Sequence, residues 1–275
     1  GYLDGYEYIT VENKLTTKAG QAYYINDSSK VFIGTSTVAG EFEINGSLNL
    51  GTNGQTYIEG VGGAALPALI DYNGTISGAS GDTGGATAYL NLTNINWDGA
   101  LTMGTTNIKL GGDAEFDAVT VSSGAELDLN GQRAEVSGIL TIADSGTMNT
   151  TNGGLLVCGS NLIASGAIED IDGTPLNVIV SSGAGHRYNL GQSGGGGPWC
   201  ENLLVNGNVT HNTGNIGNAS SAHAPKNIIV GNGTFTQSGG TTTLLDLTIA
   251  TGGTFTPSVT DTTVTCEGDF TTSGG

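Results

Sequence analysis

The hydrophobic residues of this chain alternate with polar ones over short segments, and small-residue turns separate these segments. The clearest case is 247–257, which reads Leu-Thr-Ile-Ala-Thr-Gly-Gly-Thr-Phe-Thr-Pro; nearly the same phrase, Leu-Thr-Ile-Ala-Asp-Ser-Gly-Thr-Met-Asn, occurs at 140–149. Alternation with a period of two is typical of strands that bury one face, and Gly, Ser and Asn are typical of tight turns. Each phrase therefore predicts a strand, a turn and a second strand.

Weaker copies of this phrase begin at Val119, Leu203 and Ile228. The interval from the copy at 119 to that at 140 nearly equals the interval from 228 to 247, and both are close to the length of a solenoid repeat. One unit of about 20 residues cannot bury its inward side chains alone, but a stack of such units can. The sequence therefore predicts an all-β protein, a parallel β-helix (β-solenoid) with turns of about 20 residues.

Two tandem β-sandwiches are the alternative all-β fold, because they also have short strands and frequent turns. The near-verbatim recurrence of one phrase and an aromatic content of only 6% favour the solenoid over two separate cores. Long runs of Ala, Leu, Glu, Lys and Arg are missing from the sequence, so helix is not expected as a major component.

The N-terminal segment 1–40 differs from the rest, since it carries three of the seven basic residues and a cluster of aromatics. A terminal solenoid turn must cover an otherwise open core, so 1–40 is predicted to be an N-terminal strand and cap region. The solenoid is predicted over 41–275, with loop insertions near 60–87 and 183–200, where the alternation is interrupted. Because the last residues again read as strand, turn and strand, we expect the solenoid to continue beyond 275.

The composition excludes several classes of partner. The net charge of −18 repels phosphate backbones and anionic lipid surfaces, so neither nucleic acid nor a membrane is expected to bind. No window approaches the roughly 20 apolar residues of a membrane-spanning helix. The three cysteines are far apart and lack metal-ligand spacing, so neither a zinc site nor a disulfide framework is predicted.

No catalytic set is predicted from the sequence, and we expect the protein not to be an enzyme. A polysaccharide-cleaving β-helix enzyme is an alternative; it would need paired carboxylates on adjacent turns, or a calcium cluster with a basic residue. Asp113, Glu115 and Asp117 alternate on one predicted strand and could form a carboxylate ladder, although an exposed edge is the other interpretation.

Two stretches are candidate binding sites. Trp199, with His186, Arg187 and Tyr188 before it, is a candidate glycan-binding patch; the alternative is a packed Trp199 that holds a flexible loop. Elsewhere, an Asp-x-Asp-Gly stretch resembles the start of a calcium loop but lacks the downstream acidic ligand. Its residues Asp170 and Asp172 are candidate calcium ligands, with an exposed turn as the alternative. No other cofactor is expected.

The region from about 115 to 275 resembles the Gly/Thr/Asn-rich β-helical repeats of phage tail fibres, tailspikes and other virion appendage proteins. It is also similar to the passenger repeats of bacterial adhesins. The resemblance implies a virion or extracellular rod that assembles as a homo-oligomer, often a trimer, with other virion or surface proteins and attaches to a host glycan. We therefore expect a structural or attachment segment of a virion appendage, with a bacterial cell-surface adhesin as the alternative. No catalytic residue can be carried over.

Overall fold

The structure, a computed structural model, is all-β and confirms the predicted fold class. It describes residues 2–3, 8–25, 28–51, 55–80, 88–149, 151–164, 166–169, 176–190, 200–211, 227–237, 242–257 and 264–273. These residues form 30 strands and no helix, and the strands pair in parallel as a stacked β-solenoid.

The N-terminal half of the solenoid consists of strands of two to eight residues. They are β1 (Tyr2–Leu3), β2 (Tyr8–Val11), β3 (Lys14–Thr16), β4 (Ala22–Ile25), β5 (Lys30–Ile33), β6 (Glu41–Ile44), β7 (Ser47–Leu50), β8 (Thr56–Gly60), β9 (Ala68–Tyr72), β10 (Thr75–Ser77), β11 (Leu90–Thr93), β12 (Ile95–Thr102), β13 (Ile108–Leu110), β14 (Ala114–Val121) and β15 (Glu126–Asp128).

The C-terminal half contains two longer strands, β22 and β23, among short ones. The strands are β16 (Arg133–Val136), β17 (Leu140–Ile142), β18 (Thr147–Asn149), β19 (Leu155–Cys158), β20 (Leu162–Ala164), β21 (Ala167–Glu169), β22 (Leu176–Leu190), β23 (Cys200–His211), β24 (Asn227–Val230), β25 (Gly233–Gln237), β26 (Thr242–Leu244), β27 (Asp246–Ile249), β28 (Gly253–Thr256), β29 (Val264–Cys266) and β30 (Phe270–Thr272).

The turns in the N-terminal part of the solenoid have three sides. Sheet 1 contains β1-β4-β7-β10, sheet 2 contains β2-β5-β8-β11-β13-β15-β18-β21, and the main path of sheet 3 runs β3-β6-β9-β12-β14-β16-β19-β22-β23-β24-β27-β30. The chain visits the three sheets in this order, as in β4, β5 and β6. From β12 onwards, the side of the turn that sheet 1 forms earlier is formed by the last residues of strands that begin in sheet 3. In β12 these are 100–102, which follow a shift in register and pair with 118–120 of β14. In β14 they are 119–121, which pair with β17.

The core is a set of inward columns that run along the stack. In sheet 3 one column contains Phe42, Ile70, Trp97, Phe116 and Val136, each paired in register with the next. All five residues are buried. The alternation predicted from the sequence therefore places the large apolar side chains inside, where each turn covers the one before it.

The length of a turn varies more than the even spacing of the sequence phrases predicts. Phe116 pairs with Val136 of the next turn, whereas Leu15 pairs with Phe42, so the turn that begins at Leu15 is distinctly longer. Part of the difference lies at the corner between sheets 2 and 3, which takes 34–40 after β5 in the longer turn but only 129–132 after β15 in the shorter one.

The segments 1–40, 60–87 and 183–200 all contain strands of the same stack. Within 1–40, β2, β3, β4 and β5 pair with strands of all three sheets. Within 60–87, the part that leaves the stack is shorter than expected: β9 and β10 are strands of sheets 3 and 1, because Ile70 and Ile76 alternate inward. Residues 81–87 lie outside the described part. Near 183–200, β22 pairs with β23 except at a break in register between Ser182 and His186, and 191–199 are not described.

One corner of the C-terminal turns carries an asparagine ladder. Asn202 Nδ2 donates to Asn177 Oδ1 of the preceding turn at 2.9 Å, and Asn227 Nδ2 donates to Asn202 Oδ1 at 2.8 Å. Asn202 therefore donates to the turn before it and accepts from the turn after it. Such ladders stabilise the stack because donor meets acceptor at every step.

Candidate functional site

The outer surface of sheet 3 carries carboxylates on consecutive turns, and we call this surface the acidic face. Glu43 pairs in register with Asp71, and Asp71 pairs with Asp98. On the next turn Asp117 follows Phe116, the partner of Trp97. A neighbouring column adds further carboxylates at Glu41, Glu115 and Glu135.

The acidic face follows from the alternation that builds the core. In β14 the burial alternates so that Phe116 is inside while Glu115 and Asp117 are exposed. Asp113, just before the strand, is also exposed. The carboxylates that the sequence places on one strand face thus do share an outward surface, and the stack adds Asp71 and Asp98 from the two turns before them.

Two cations neutralise the ends of the acidic face. Lys14 Nζ lies 2.6 Å from Glu41 Oε1 and 2.7 Å from Glu43 Oε2. Its hydrogen bond, followed by those from Asn45 and Thr16, lowers the pKa of Glu43 to about 2. At the other end Arg133 forms ion pairs with Glu135 and, at 3.7 Å, with Glu115. The middle of the face therefore holds most of its uncompensated charge.

Asp98 and Asp117 form a carboxylate pair in this middle part. A hydrogen bond with Asp117, together with the negative charges of Asp117 and Asp71, raises the pKa of Asp98 above its usual range. The backbone N–H of Gly99 donates to Asp117 Oδ2 at 3.1 Å and holds this carboxyl group beside the preceding turn. Two carboxyl groups on adjacent turns thus lie together, and the proximity of Asp117 raises the pKa of Asp98, an arrangement that the sequence did not predict.

We expect Asp98→Asn to raise the Tm at pH 7 by a few degrees, because it removes repulsion between neighbouring carboxylates. Since the pKa of Asp98 is raised in the folded state, the wild type loses stability as the pH rises through that value and retains it below. The gain should therefore shrink as the pH is lowered towards about 4. Thermal unfolding between pH 4 and 8 measures it. Asp144→Asn, on an exposed turn, is the control; an equal gain in both variants at every pH would contradict the pairing.

A second polar group, the sheet 2 cluster, consists of Tyr89, Lys109, Glu126, Asp128 and Asn149. Glu126 Oε1 accepts hydrogen bonds from the Tyr89 hydroxyl and from Asn149 Nδ2. Lys109 Nζ lies 3.1 Å from Asp128 Oδ2, and the Asp128 side chain is only 3% exposed. Burial, and then the hydrogen bond to Glu126, raises the pKa of Tyr89, which keeps this phenol protonated.

The predicted glycan patch is described only in part. His186 pairs with Val209 and Tyr188 with Leu162, both of which are buried, whereas Arg187 pairs with half-buried Thr210. Trp199 lies outside the described residues, and so do the side chains of 186–188. The patch therefore stays a prediction.

The predicted calcium ligands Asp170 and Asp172 also lie outside the described residues. In the part of the chain that the structure describes, no group of three or more His, Cys, Asp or Glu side chains could hold a metal ion. The same part contains no helix that could cross a membrane.

The fold makes this chain a parallel β-solenoid protein. Its sequence matches no protein-family model, no curated protein and no solved structure.

Proposed function

We propose that this chain is a non-catalytic rod, a structural or attachment segment of a virion appendage such as a fibre or spike. The observation that carries this proposal is the unbroken path of sheet 3, in which β3 is connected through consecutive hydrogen-bonded strands to β30. At a spacing of about 4.8 Å between strands, the 12 strands of this path span roughly 50 Å. Such a stack holds its two ends at a fixed separation.

The stiffness of the stack and the charge of its surface support the same proposal. A solenoid in which each turn contacts only its neighbours forms an extended, stiff element that presents its sides to a partner. The net charge of −18 keeps such rods soluble and apart from one another. On the virion the rod would assemble as a homo-oligomer, such as a trimer, and would present a host-binding surface.

Electron microscopy with a gold-labelled antibody against this chain tests the proposal. We expect the label on a fibre or spike of virions. Label on the surface of bacterial cells would instead favour the alternative, a cell-surface adhesin, for which the same rod geometry would serve. Protein found only free in the medium would overturn both.

A polysaccharide-cleaving enzyme is the second candidate function, and one observation favours it. The carboxyl groups of Asp98 and Asp117 lie together on adjacent turns, and the raised pKa of Asp98 suits a general acid, one of the two carboxyl roles in glycoside hydrolysis. Release of reducing ends from acidic or neutral polysaccharides decides this. Activity in the wild type that disappears in the double variant Asp98→Asn, Asp117→Asn would replace the rod proposal with the enzyme.

A further inference from the structure

Two side chains of the sheet 2 cluster face each other across neighbouring turns. Lys109 and Asp128 are register partners in β13 and β15. Both lie on the outer face of sheet 2, because Ile108 and Leu127, one position before each of them, are core residues. The 3.1 Å between Lys109 Nζ and Asp128 Oδ2 is a direct contact, and the Asp128 side chain is almost fully buried. The stack therefore holds an amine against a carboxyl group that is shielded from water.

The other close lysine pair of the described residues lies in a different environment. Lys14 Nζ is nearer to Glu41 Oε1, at 2.6 Å, but those side chains are 46% and 30% exposed. The hydrogen bonds to Glu41 and Glu43 raise the pKa of Lys14, so this amine stays protonated and cannot act as a nucleophile. At Lys109 the partner carboxylate has lost its water. Desolvation there favours passing a proton from the ammonium group to the carboxylate, which leaves a neutral amine.

The two oxygens of Asp128 have different neighbours. Oδ2 faces Lys109, whereas Oδ1 accepts a hydrogen bond from the backbone N–H of Asn130 at 2.9 Å. When an amine adds to a carboxyl carbon, negative charge develops on one oxygen, and a donor that is already in place stabilises it. The N–H of Asn130 is such a donor, and it leaves Oδ2 as the oxygen that can depart.

Glu126 provides a second carboxylate beside the pair. It lies two residues before Asp128 in β15, so both side chains extend from the same face of the strand. The Tyr89 hydroxyl donates to Glu126, and Lys109 Nζ lies over the ring of the same tyrosine, 5.7 Å from its centroid. A carboxylate in this position can take a proton from the amine and return it to the departing oxygen.

We propose that Lys109 and Asp128 join in an amide bond that forms within the folded chain. The bond between Nζ and Cγ forms, and the bond between Cγ and Oδ2 breaks. Of the three protons of the ammonium group, one stays on the amide nitrogen and two leave with Oδ2 as water, so atoms and charge balance and nothing is oxidised or reduced. Glu126 relays protons and ends unchanged. The stack favours the reaction because it holds both groups in contact.

The amide would join β13 to β15 and fasten two consecutive turns of the solenoid covalently, whatever the rod attaches to. The intact mass of the purified chain tests for it. We expect a mass lower than that of the sequence by one water molecule, and we expect trypsin to leave the chain uncut after Lys109.

Lys109→Arg is the matched variant, because it keeps a positive charge beside Asp128 but has no amine that can form the bond. It should show the full mass and a Tm lower by about 5–10 °C, the effect of losing a covalent link that closes a loop of this length. Glu126→Gln should retain the ion pair but contain a smaller linked fraction. Circular dichroism shows whether each variant is folded.

A folded wild-type chain that keeps its full mass during incubation at neutral pH would overturn the proposal, since Lys109 and Asp128 would then form only an ion pair. A mass deficit that persists in Lys109→Arg would also overturn it, because the water would have been lost elsewhere in the chain. So would a cross-linked peptide that contains Lys14 instead of Lys109, which would show that burial does not select the reacting pair.

Discussion

Trp97→Ala is expected to lower the free energy of unfolding by about 3–5 kcal/mol, the usual effect of truncating a large aromatic residue in a core. Trp97 is fully buried and lies between Ile70 and Phe116 in its column. Its ring also packs against Tyr72, with the ring centroids 5.0 Å apart. The cavity would lie in the middle of the stack, where turns on both sides lose a wall. Urea unfolding followed by circular dichroism measures the loss.

Trp97→Phe is the control for this prediction, and we expect it to lower the free energy of unfolding by less than about 1.5 kcal/mol. Phenylalanine already occupies the same column at Phe42 and Phe116. The change also removes the indole Nε1, which is buried and has no hydrogen-bond partner among the described residues. Equal losses in the two variants would show that the volume of Trp97 is not what stabilises this part of the stack.

Gly78→Ala is the second change with a large expected effect, a loss of about 2–4 kcal/mol of stability. Gly78 has a φ of +93°, in the region that residues with a Cβ rarely adopt. A Cβ at this position would lie only 2.1 Å from the backbone carbonyl oxygen of Leu50 in the preceding turn. That oxygen belongs to β7, a strand of sheet 1. The two neighbouring turns would therefore have to move apart to accommodate the methyl group that Gly78→Ala introduces.

Gly20→Ala separates the two causes of this loss. Gly20 has a φ of +73°, but a Cβ there would have no neighbour within 4 Å. We therefore expect only the conformational strain, about 1–2 kcal/mol. Thermal unfolding of both variants measures the difference. If Gly20→Ala were as destabilising as Gly78→Ala, the close approach of the two turns would carry no cost.

The sequence predicted the fold class because two of its strongest signals are local. Alternation defines the inward face of each strand, and the recurring phrase defines strand, turn and strand. The phrase does not define which corner it forms, however. At 140–149 it runs from β17 into β18 of sheet 2, whereas at 247–257 it runs from β27 of sheet 3 into β28. One phrase thus fits two corners. Copies at the same corner pair in register, as Val119 does with Leu140 and Ile228 with Leu247, so phrase spacing gives the lengths of those turns but not of the turns without a copy.

The acidic face could be predicted from the sequence only in part. Asp113, Glu115 and Asp117 could be placed on one surface from the sequence, because they lie along a single segment. Asp71 and Asp98 join that surface only through register, and the step from 71 to 98 is much longer than the step from 98 to 117. The length of each corner loop sets these steps, and loop length has no pattern in the sequence.

The strand registers have a consequence for how the chain folds. Every pairing along sheet 3 joins a residue to the next turn of the stack, a separation that is a small fraction of the 275 residues of the chain. All-β proteins usually fold slowly because they must close long loops before contacts form, but here the relative contact order falls to about that of helical bundles. Each completed turn is the template for the next, so folding can start at one well-packed turn and spread along the axis in both directions.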